Sequence, residues 1–524
     1  MNSHAARRAE IVFLSLLTLV AFGLRLYRVG SVSLAEDEAT KWMAVQQYKQ
    51  GHFVGVNSEH PMLMKLLAWG SLELGQRWNR WADDHHWLRA REEATLRMPN
   101  LIFGALTTVV IYLLGKEMLG PVGAAAAAFF WAFTPMPIAL NRILKEDTLA
   151  TFFTYLAFCF FWRGKKTTDD APAGRLFTLS GICFGLAAAS KYYLHFIGLN
   201  LLIWHIAGRA GLDRRAFFKP FAKRFWLAMG LSFMLANPGI LWPTQVSDMY
   251  RYLTEKTLVH HGYNLNGHLY MNNIASTPFG VPWYFYGWAL GVKTPLPVLL
   301  GMIVGLFLVL FDRRSVAAVF LCVMVFFCFV PFSLVGAKWI RYLLDMLPFF
   351  FLLAGYAAEK LYEWLERLRS VPVRRLGFLL ASLVFFAWPA AEIFAWAPFY
   401  PLYLNQLGGG RANVARFFPH DELYDLGVRE AVEYTCRVAP RGAVLAASNP
   451  NAVGYYLQRC ARTDIHVGAL FDPKYVVRPG DFLLIQESRR YFETEDLFRQ
   501  LEHHGQPLAE VRVAGVVTSR IYRF

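Results

Sequence analysis

The stretch SLAEDEATKW, residues 33–42, places three carboxylates directly after an apolar run. They belong to Glu36, Asp37 and Glu38. A carboxylate can take the proton from an attacking hydroxyl, which is general-base chemistry. Three adjacent acids can also be the solvated face of a loop, which is the commoner role of a charge run. The remaining charged residues decide between these two interpretations.

More ionisable residues lie at or near one end of the apolar segments, on the same predicted side as the three acids. They are Glu59, His60, Lys65, Arg142, Lys145, Glu146, Asp147, Lys191, Lys293, Lys338 and Arg341. Ionisable groups at membrane depth are costly and usually face a polar cavity or pair with one another. We therefore expect one cavity that holds carboxylates and cations together, with Glu59, His60 and Glu146 among its lining residues.

The composition shows which kind of scaffold must position these residues. The chain has 524 residues, of which 56% are hydrophobic and only 17% are charged. This is typical of a polytopic membrane protein, because soluble domains contain more charge. Apolar windows long enough to cross the hydrocarbon core begin near residues 11, 101, 124, 149, 176, 194, 225, 283, 316, 342 and 376. We predict a mainly α protein with about 11 transmembrane helices.

The basic segments predict the orientation of the chain. Lys and Arg collect in short cytoplasmic loops. Basic residues are concentrated at 7–8, 163–175, 208–224, 312–314 and 367–375. The N-terminus is then cytoplasmic, and the outer loops at 31–94 and 243–282 lie on the opposite face. The net charge of +15 therefore indicates topology and contact with anionic membrane lipids, and it gives no reason to expect a nucleic acid partner.

The composition changes after residue 404. We predict a membrane domain at 1–404, a Gly-rich hinge at 405–414 and a small extracytoplasmic α/β domain at 415–524, in which strand-like and helical runs alternate. This last domain contains Cys436 and Cys460, the two cysteines outside the predicted spans. Because an extracytoplasmic space is oxidising, we expect them to form a disulfide.

The predicted cavity suits the transfer of a sugar from a lipid phosphate. Cations would hold the phosphate and stabilise the charge that the leaving group gains, while a carboxylate would accept the proton of the attacking hydroxyl. A nucleotide sugar would call for a Gly-rich phosphate loop, and the sequence contains none. The alternative is a transporter or flippase for a lipid-linked or polar substrate, for which charges near the midplane and inverted repeats are typical.

Five segments carry a resemblance to a known superfamily. They are AEDEATKW, EHPMLMKLL, RILKEDTLATFF, GICFGLAAASKYY and KWIRYLLDMLPFFFLLAG, in this order between residues 35 and 361. Together they resemble motifs of the protein O-mannosyltransferases and related lipid-phosphate-sugar transferases of the GT-C superfamily, including the aminoarabinose transferases. The resemblance implies a GT-C-like fold and an inverting transfer of a mannose-like or other sugar, hexosyl or pentosyl, from a polyprenyl-phosphate donor to a hydroxyl.

The resemblance also implies roles for individual residues. Asp37 would be the catalytic base, Glu38 its neighbour and Asp147 the acid of the second outer loop. The donor phosphate would be bound by Lys65, Arg142, Lys191 and Arg341, and Lys293 is a further candidate.

Two departures bear on the acceptor. Met62 stands where the family has a second proline, and the loop TLVHHGYNLNGHLYMNN replaces the large inserted domain of the eukaryotic enzymes. That loop is more similar to bacterial relatives, which implies a bacterial inner membrane. A protein Ser/Thr hydroxyl and a glycolipid both fit as acceptor.

The histidines at 260, 261 and 268 could join Glu59 around a divalent cation. Their spacing has no zinc signature, so no residue is predicted as a metal ligand. The use of a divalent cation is left open.

Overall fold

The structure is a computed structural model that describes residues 3–192, 220–252, 254, 262–312, 314–472 and 474–524. The apolar segment predicted from Leu194, most of the basic segment at 208–224, and the histidines at 260 and 261 lie outside these residues.

Most of the described chain up to residue 404 is helical. The helices are α1 (Ser3–Leu26), α2 (Glu36–Lys49), α3 (Leu63–Asp84), α4 (Glu92–Met118), α5 (Pro121–Phe133), α6 (Pro135–Asn141), α7 (Glu146–Lys166), α8 (Asp170–Ser190), α9 (Pro220–Ala236), α10 (Pro243–Arg251), α11 (Phe285–Lys293), α12 (Leu296–Phe311), α13 (Val316–Leu334), α14 (Leu347–Glu366), α15 (Val371–Ser382) and α16 (Trp388–Trp396). A π-helical segment, Leu383–Ala387, joins α15 to α16. A short antiparallel hairpin, β1 (Tyr263–Leu265) with β2 (His268–Tyr270), lies in the loop before α11.

The C-terminal part is an α/β unit, as its sequence predicts. Its helices are α17 (Pro419–Leu423), α18 (Val428–Val438), α19 (Pro450–Arg459) and α20 (Glu495–His504), and its strands are β3 (Val444–Ala447), β4 (His466–Ala469), β5 (Phe482–Gln486), β6 (Ala509–Val513) and β7 (Val516–Arg523). The sheet order is β4-β3-β5-β7-β6. Strand β3 pairs in parallel with β4 and β5, whereas β7 is antiparallel to β5 and β6.

Among the described residues, five helices are long and apolar enough to cross a membrane, and a sixth span results if α5 and α6 count as one. The bend between α5 and α6 is 58° and falls at Pro135, which can neither donate a backbone hydrogen bond nor continue the preceding turn. Helix α12 is apolar but has only 16 residues. The number of eleven spans therefore stays a prediction.

The helices pack closely where small residues meet. A Cβ on Gly123 of α5 would lie 2.6 Å from the carbonyl oxygen of Gly355 in α14, so a larger residue would separate the two helices. Close approach at small residues is typical of helices that associate in membranes, where dispersion contacts replace the hydrophobic driving force. This α5–α14 contact lies within the main core of the protein.

Ion pairs connect the helix ends that lie far from the three adjacent acids. Lys116 at the end of α4 contacts Glu10 near the start of α1, at 2.6 Å. Glu117 contacts Arg163 near the end of α7, at 3.0 Å. The start of α1 and the ends of α4 and α7 therefore lie together at one end of the bundle. The orientation of this end in the membrane stays a prediction.

The structure bears on the predicted hinge and on the predicted disulfide of the C-terminal part. Asn405, at the start of the predicted hinge, is buried and donates its amide hydrogens to the carbonyls of Gly291 and Thr294. The segment is therefore docked on α11 at this point. The expected disulfide is absent: Cys436 and Cys460 are both free thiols, although their side chains hydrogen-bond to each other.

Candidate functional site

The three adjacent acids occupy the first turn of α2, with Ala35 as the N-cap. Carboxylates are favoured there because the unpaired N–H groups and the helix dipole make a helix N-terminus positive. The second acidic pair, Glu146 and Asp147, occupies the first turn of α7 in the same way. Both helices begin at one polar cavity.

The cavity has a volume of about 270 Å³ and a mainly polar wall. It is lined by Glu36, Asp37, His60, Lys145, Glu146, Asp147, Lys191, Tyr252, Gly262, Trp339, Arg341, Tyr342, His420, Tyr424, Arg489 and Tyr491. Carboxylates and cations thus share one cavity, as predicted. Its volume is close to the lower limit for pockets that enclose small ligands.

Asp37 is held through one of its two carboxylate oxygens. The Lys145 ammonium lies 2.5 Å from Oδ2, and the Tyr424 hydroxyl donates to the same oxygen at 2.7 Å. Within the part of the chain that the structure describes, no hydrogen bond reaches Oδ1. The Asp37 side chain is 35% exposed, so Oδ1 is the atom that an incoming hydroxyl could use.

The surrounding charges keep Asp37 ionised. Burial alone would raise the pKa of its carboxyl, but Lys145, Lys41 and Arg341 together lower that pKa well below its ordinary value. Burial lowers the pKa of Lys145 to about 8, with Asp37 opposing the effect and Arg341 adding to it. At neutral pH the pair is therefore a carboxylate and an ammonium.

The remaining acids of the cavity are paired with cations. Asp147 accepts a hydrogen bond from Lys191 at 2.6 Å. Glu146 lies 3.1 Å from the ammonium of Lys41, which is almost fully buried. These pairs compensate the cost of burying four charges in the protein.

Arg341 differs from the other cations of the cavity. Its guanidinium lies over the rings of Trp339 and Tyr342, at 5.0 Å and 5.5 Å from their centroids. Across the described residues it donates no hydrogen bond and forms no ion pair. A planar guanidinium with free donors suits bidentate binding of a phosphate.

His60 lines the cavity beside Tyr252, with a ring separation of 5.2 Å. Burial lowers the pKa of His60 to about 4, so its imidazole is neutral at pH 7. A neutral imidazole can donate or accept one hydrogen bond without adding charge.

Glu38 does not line the cavity. It is fully buried, and its two oxygens accept hydrogen bonds from Arg97 at 2.7 and 2.6 Å. It also accepts from the backbone N–H of Ala35 and of Leu144, at 3.0 and 2.8 Å. Glu38 therefore connects the start of α2 to α4 and to the loop before α7.

Four other predicted site residues also lie outside the cavity lining. Lys65 is buried and donates to the carbonyls of Asn57 and His60, so it shapes the loop that carries His60. Glu59 directly precedes His60 in the same loop and is half-buried. Neither Lys65 nor Glu59 lines the cavity, so the expectation that Glu59 is part of its wall is not met. The prediction that Lys65 binds phosphate stays a prediction.

Arg142 and Lys293 point elsewhere because backbone carbonyls and buried partners hold them. Arg142 lies over the Tyr400 ring, 5.2 Å from its centroid. Lys293 contacts Glu422 at 2.9 Å and donates to the carbonyls of Pro401 and Tyr403 at 3.0 Å each. Lys293 therefore connects α11 to the C-terminal part, whereas Arg142 packs on Tyr400. Neither residue lines the cavity.

Sequence reasoning missed the C-terminal contribution. His420, Tyr424, Arg489 and Tyr491 all reach the cavity wall, although they follow the last predicted span. The polar run PHDELYDLG, residues 419–427, was the available signal, since polar and aromatic residues cluster there directly after the hinge. Nothing in its spacing places it beside Asp37.

Among the described residues, no group of three or more His, Cys, Asp or Glu side chains is arranged to hold a metal ion. His268, the one loop histidine that is described, is exposed in β2. The structure thus offers no ligand set, within those residues, for the divalent cation considered from the sequence.

Comparisons with known proteins show which families and folds the chain is similar to. The family of dolichyl-phosphate-mannose-protein mannosyltransferases matches residues 86–242. No protein among the curated sequences matches the chain. The crystal structure of ArnT from Cupriavidus metallidurans bound to undecaprenyl phosphate matches with a TM-score of 0.55 and 14% identity, and the match covers 98% of each chain. The chain has a GT-C fold.

The chain is also similar to the archaeal oligosaccharyltransferase AglB from Archaeoglobus fulgidus, in a structure with an inhibitory peptide and a dolichol-phosphate. The TM-score is 0.57 at 11% identity, and the match covers 88% of this chain and 65% of AglB. The superfamily resemblance seen in the five motifs is thereby confirmed. With its long apolar helices, the GT-C chain is an integral membrane protein.

Proposed function

We propose that the protein transfers a sugar from a polyprenyl-phosphate donor to an acceptor hydroxyl at the outer face of the membrane. One observation carries the proposal: Asp37, with one free carboxylate oxygen, shares a cavity with Lys145, Lys191 and the uncommitted Arg341. ArnT, of the same fold, has been crystallised with undecaprenyl phosphate, which supports a lipid phosphate as donor.

The transfer step follows from the charges. The acceptor oxygen attacks the anomeric carbon while the bond from that carbon to the phosphate oxygen breaks, and the electron pair of the broken bond remains on the phosphate. The phosphate thereby gains one negative charge, which Arg341, Lys145 and Lys191 would stabilise. The proton of the acceptor hydroxyl passes to Oδ1 of Asp37. Because surrounding cations lower the Asp37 pKa, the proton moves only as the new bond forms and the hydroxyl becomes acidic.

Attack from the side opposite the phosphate inverts the anomeric configuration. Asp37 lies in α2, and Arg341 lies after α13. The proposed base and the cation that would bind the phosphate therefore come from different elements of the cavity wall. Glu146 and His60 would complete the sugar-binding wall. Asp147 would orient Lys191, to which it is paired.

The acceptor is proposed to be a protein Ser/Thr or a glycolipid hydroxyl. A serine or threonine peptide is the first acceptor to test, because the matched family acts on proteins by its name. We further propose a bacterial inner membrane, a cytoplasmic N-terminus and an extracytoplasmic cavity, since basic residues lie at the opposite end of the bundle.

The test uses purified full-length protein in detergent. Undecaprenyl phosphate linked to mannose, galactose, glucose or aminoarabinose would be incubated separately with a Ser/Thr peptide library and with lipid A, and NMR would give the anomeric configuration of the product. We expect one donor to be consumed and its anomeric configuration to invert. Retention would contradict direct displacement. Donor movement in sealed vesicles without any transfer would favour the transporter or flippase.

A further inference from the structure

The C-terminal part supplies a hydrogen bond to Asp37, the candidate base, from the side chain of Tyr424. The Tyr424 hydroxyl donates to Oδ2 of Asp37 at 2.7 Å, across a separation of 387 residues in the sequence. Tyr424 follows α17 and is half-buried, and its side chain lines the cavity. The residue that makes this contact therefore lies outside the predicted spans and their motifs.

The placement of Tyr424 is fixed by its neighbour. The Asp425 carboxylate accepts from the backbone N–H of Glu36 at 2.9 Å, so it docks on the residue before Asp37. It also accepts from Arg489 at 2.9 and 2.5 Å and from Gln486 at 2.6 Å. This buried network ties the Tyr424 backbone to α2.

The backbone at this point is unfavourable for ordinary side chains. Tyr424 and Asp425 have φ angles of 26° and 60°, both in the left-handed region that favours glycine. Such conformations persist only when surrounding contacts hold them, and they cluster at functional sites. Here they turn the phenol of Tyr424 towards Asp37 while the Asp425 carboxylate faces Arg489.

Tyr424 and Lys145 bind the same oxygen, but a phosphate would affect them differently. A phosphate in the cavity would compete with Asp37 for the Lys145 ammonium, because both are anions. The phenol is neutral and would not be drawn away. Oδ2 would then keep one hydrogen bond, and the carboxylate would keep its orientation with Oδ1 towards the acceptor.

We infer that Tyr424 is a positioning residue that holds the Asp37 carboxylate in place when the donor phosphate takes Lys145. The inference rests on the proposed function and adds a part of the active site supplied by the C-terminal α/β unit. Tyr424 acts through Asp37, so its substitution should affect the chemical step more than donor binding.

The experiment compares Tyr424→Phe with the wild type, using the undecaprenyl-phosphate sugar that the wild type consumes. We expect kcat to fall about tenfold or more, because a misplaced base loses its alignment, with the donor KM changed less than about twofold. The acidic limb of the pH profile should move to higher pH, since the hydrogen bond to the charged carboxylate is lost. Binding of undecaprenyl phosphate should be unchanged.

The matched control is Tyr475→Phe. Tyr475 donates to Asp481 at 2.8 Å within the same α/β unit, and neither residue lines the cavity. Its kcat should equal that of the wild type. If Tyr424→Phe does not fold, 3,5-difluorotyrosine at position 424 keeps the hydroxyl and strengthens its hydrogen bond, and the acidic limb should then move to lower pH.

Two results would overturn the inference alone. The first is a Tyr424→Phe protein with wild-type kcat; if its donor KM rises as well, Tyr424 is a donor-binding residue. The second is an acidic limb that does not move in the fluorinated protein. Absence of turnover by the wild type with every donor would instead overturn the proposed function on which the inference rests.

Discussion

The Lys145 ammonium lies 2.5 Å from Oδ2 of Asp37, and the two residues come from different segments of the chain. Lys145 precedes α7, whereas Asp37 is in the first turn of α2. The pair therefore holds the candidate base beside the cations that would bind a phosphate. A donor phosphate would have to share Lys145 with Asp37, which couples donor binding to the state of the base.

The pKa of Lys145 predicts how donor binding depends on pH. Burial lowers this pKa to about 8, so the free protein loses the ammonium charge as the pH rises through 8. Binding of undecaprenyl phosphate would then require uptake of a proton, and the affinity should fall by up to about tenfold between pH 8 and 9. Lys145→Arg should remove this fall, because a guanidinium stays charged. Calorimetric titration at both pH values measures it, and identical pH dependence in the two proteins would contradict the assignment.

Arg341 and Lys293 should respond differently to the same substitution. Arg341→Met removes a free guanidinium from the cavity, so the Kd for undecaprenyl phosphate should rise about tenfold to a hundredfold, the loss of one or two charged hydrogen bonds. Its Tm should change little, because Arg341 pairs with no acid among the described residues.

Lys293→Met is the comparison. It leaves the Glu422 carboxylate buried without its cation, which costs about 3–5 kcal/mol of stability. We therefore expect a clear fall in Tm. Weaker lipid-phosphate binding in Lys293→Met at unchanged Tm would indicate that Lys293 binds the donor phosphate. It would contradict the contact of Lys293 with Glu422 as its main role.

Glu38→Gln should act on stability. The variant removes the charge that compensates the buried Arg97 guanidinium, to which Glu38 binds through two hydrogen bonds. We expect a loss of about 3–5 kcal/mol, measured by thermal unfolding in detergent. Full stability together with lost turnover would instead make Glu38 a direct participant in the reaction.

Cys436 and Cys460 should form a disulfide on oxidation, because their thiols already hydrogen-bond. Burial, followed by the nearby Cys460, raises the pKa of Cys436 to about 12, so the thiol stays protonated at pH 7 and oxidation by air should be slow. After treatment with copper phenanthroline, non-reducing peptide mapping should show the linked peptides, and the domain should gain about 3 kcal/mol. Two thiols that remain open to alkylation after this treatment would contradict the expectation.

The sequence motifs predicted part of the cavity well. The carboxylates of Asp37 and Asp147 and the cations Lys191 and Arg341 do lie together, because each follows or precedes a helix end at the same side of the bundle. The length of the apolar segments and the charged residues at their ends are enough to predict that these side chains lie at the same side of the bundle. The superfamily resemblance supplied the order of the segments.

The orientation of individual cations could not be predicted in the same way. Lys65 and Lys293 also lie near helix ends, yet each points to backbone carbonyls. A helix end fixes the depth of a residue, whereas the packing of neighbouring elements decides which way its side chain turns. Tyr424 illustrates the largest gap, since its contact with Asp37 depends on how the α/β unit docks on the helices.

The central claim is that Asp37 is the base for sugar transfer from a lipid phosphate. The most direct measurement is single-turnover transfer from a radiolabelled undecaprenyl-phosphate sugar by wild type and Asp37→Asn, with undecaprenyl phosphate binding determined on the same samples. Asn preserves the shape of Asp37 and removes its capacity to accept a proton. We predict that Asp37→Asn still binds undecaprenyl phosphate and that its transfer rate is at least about a hundredfold lower than that of the wild type. Equal transfer rates in the two proteins would contradict the claim.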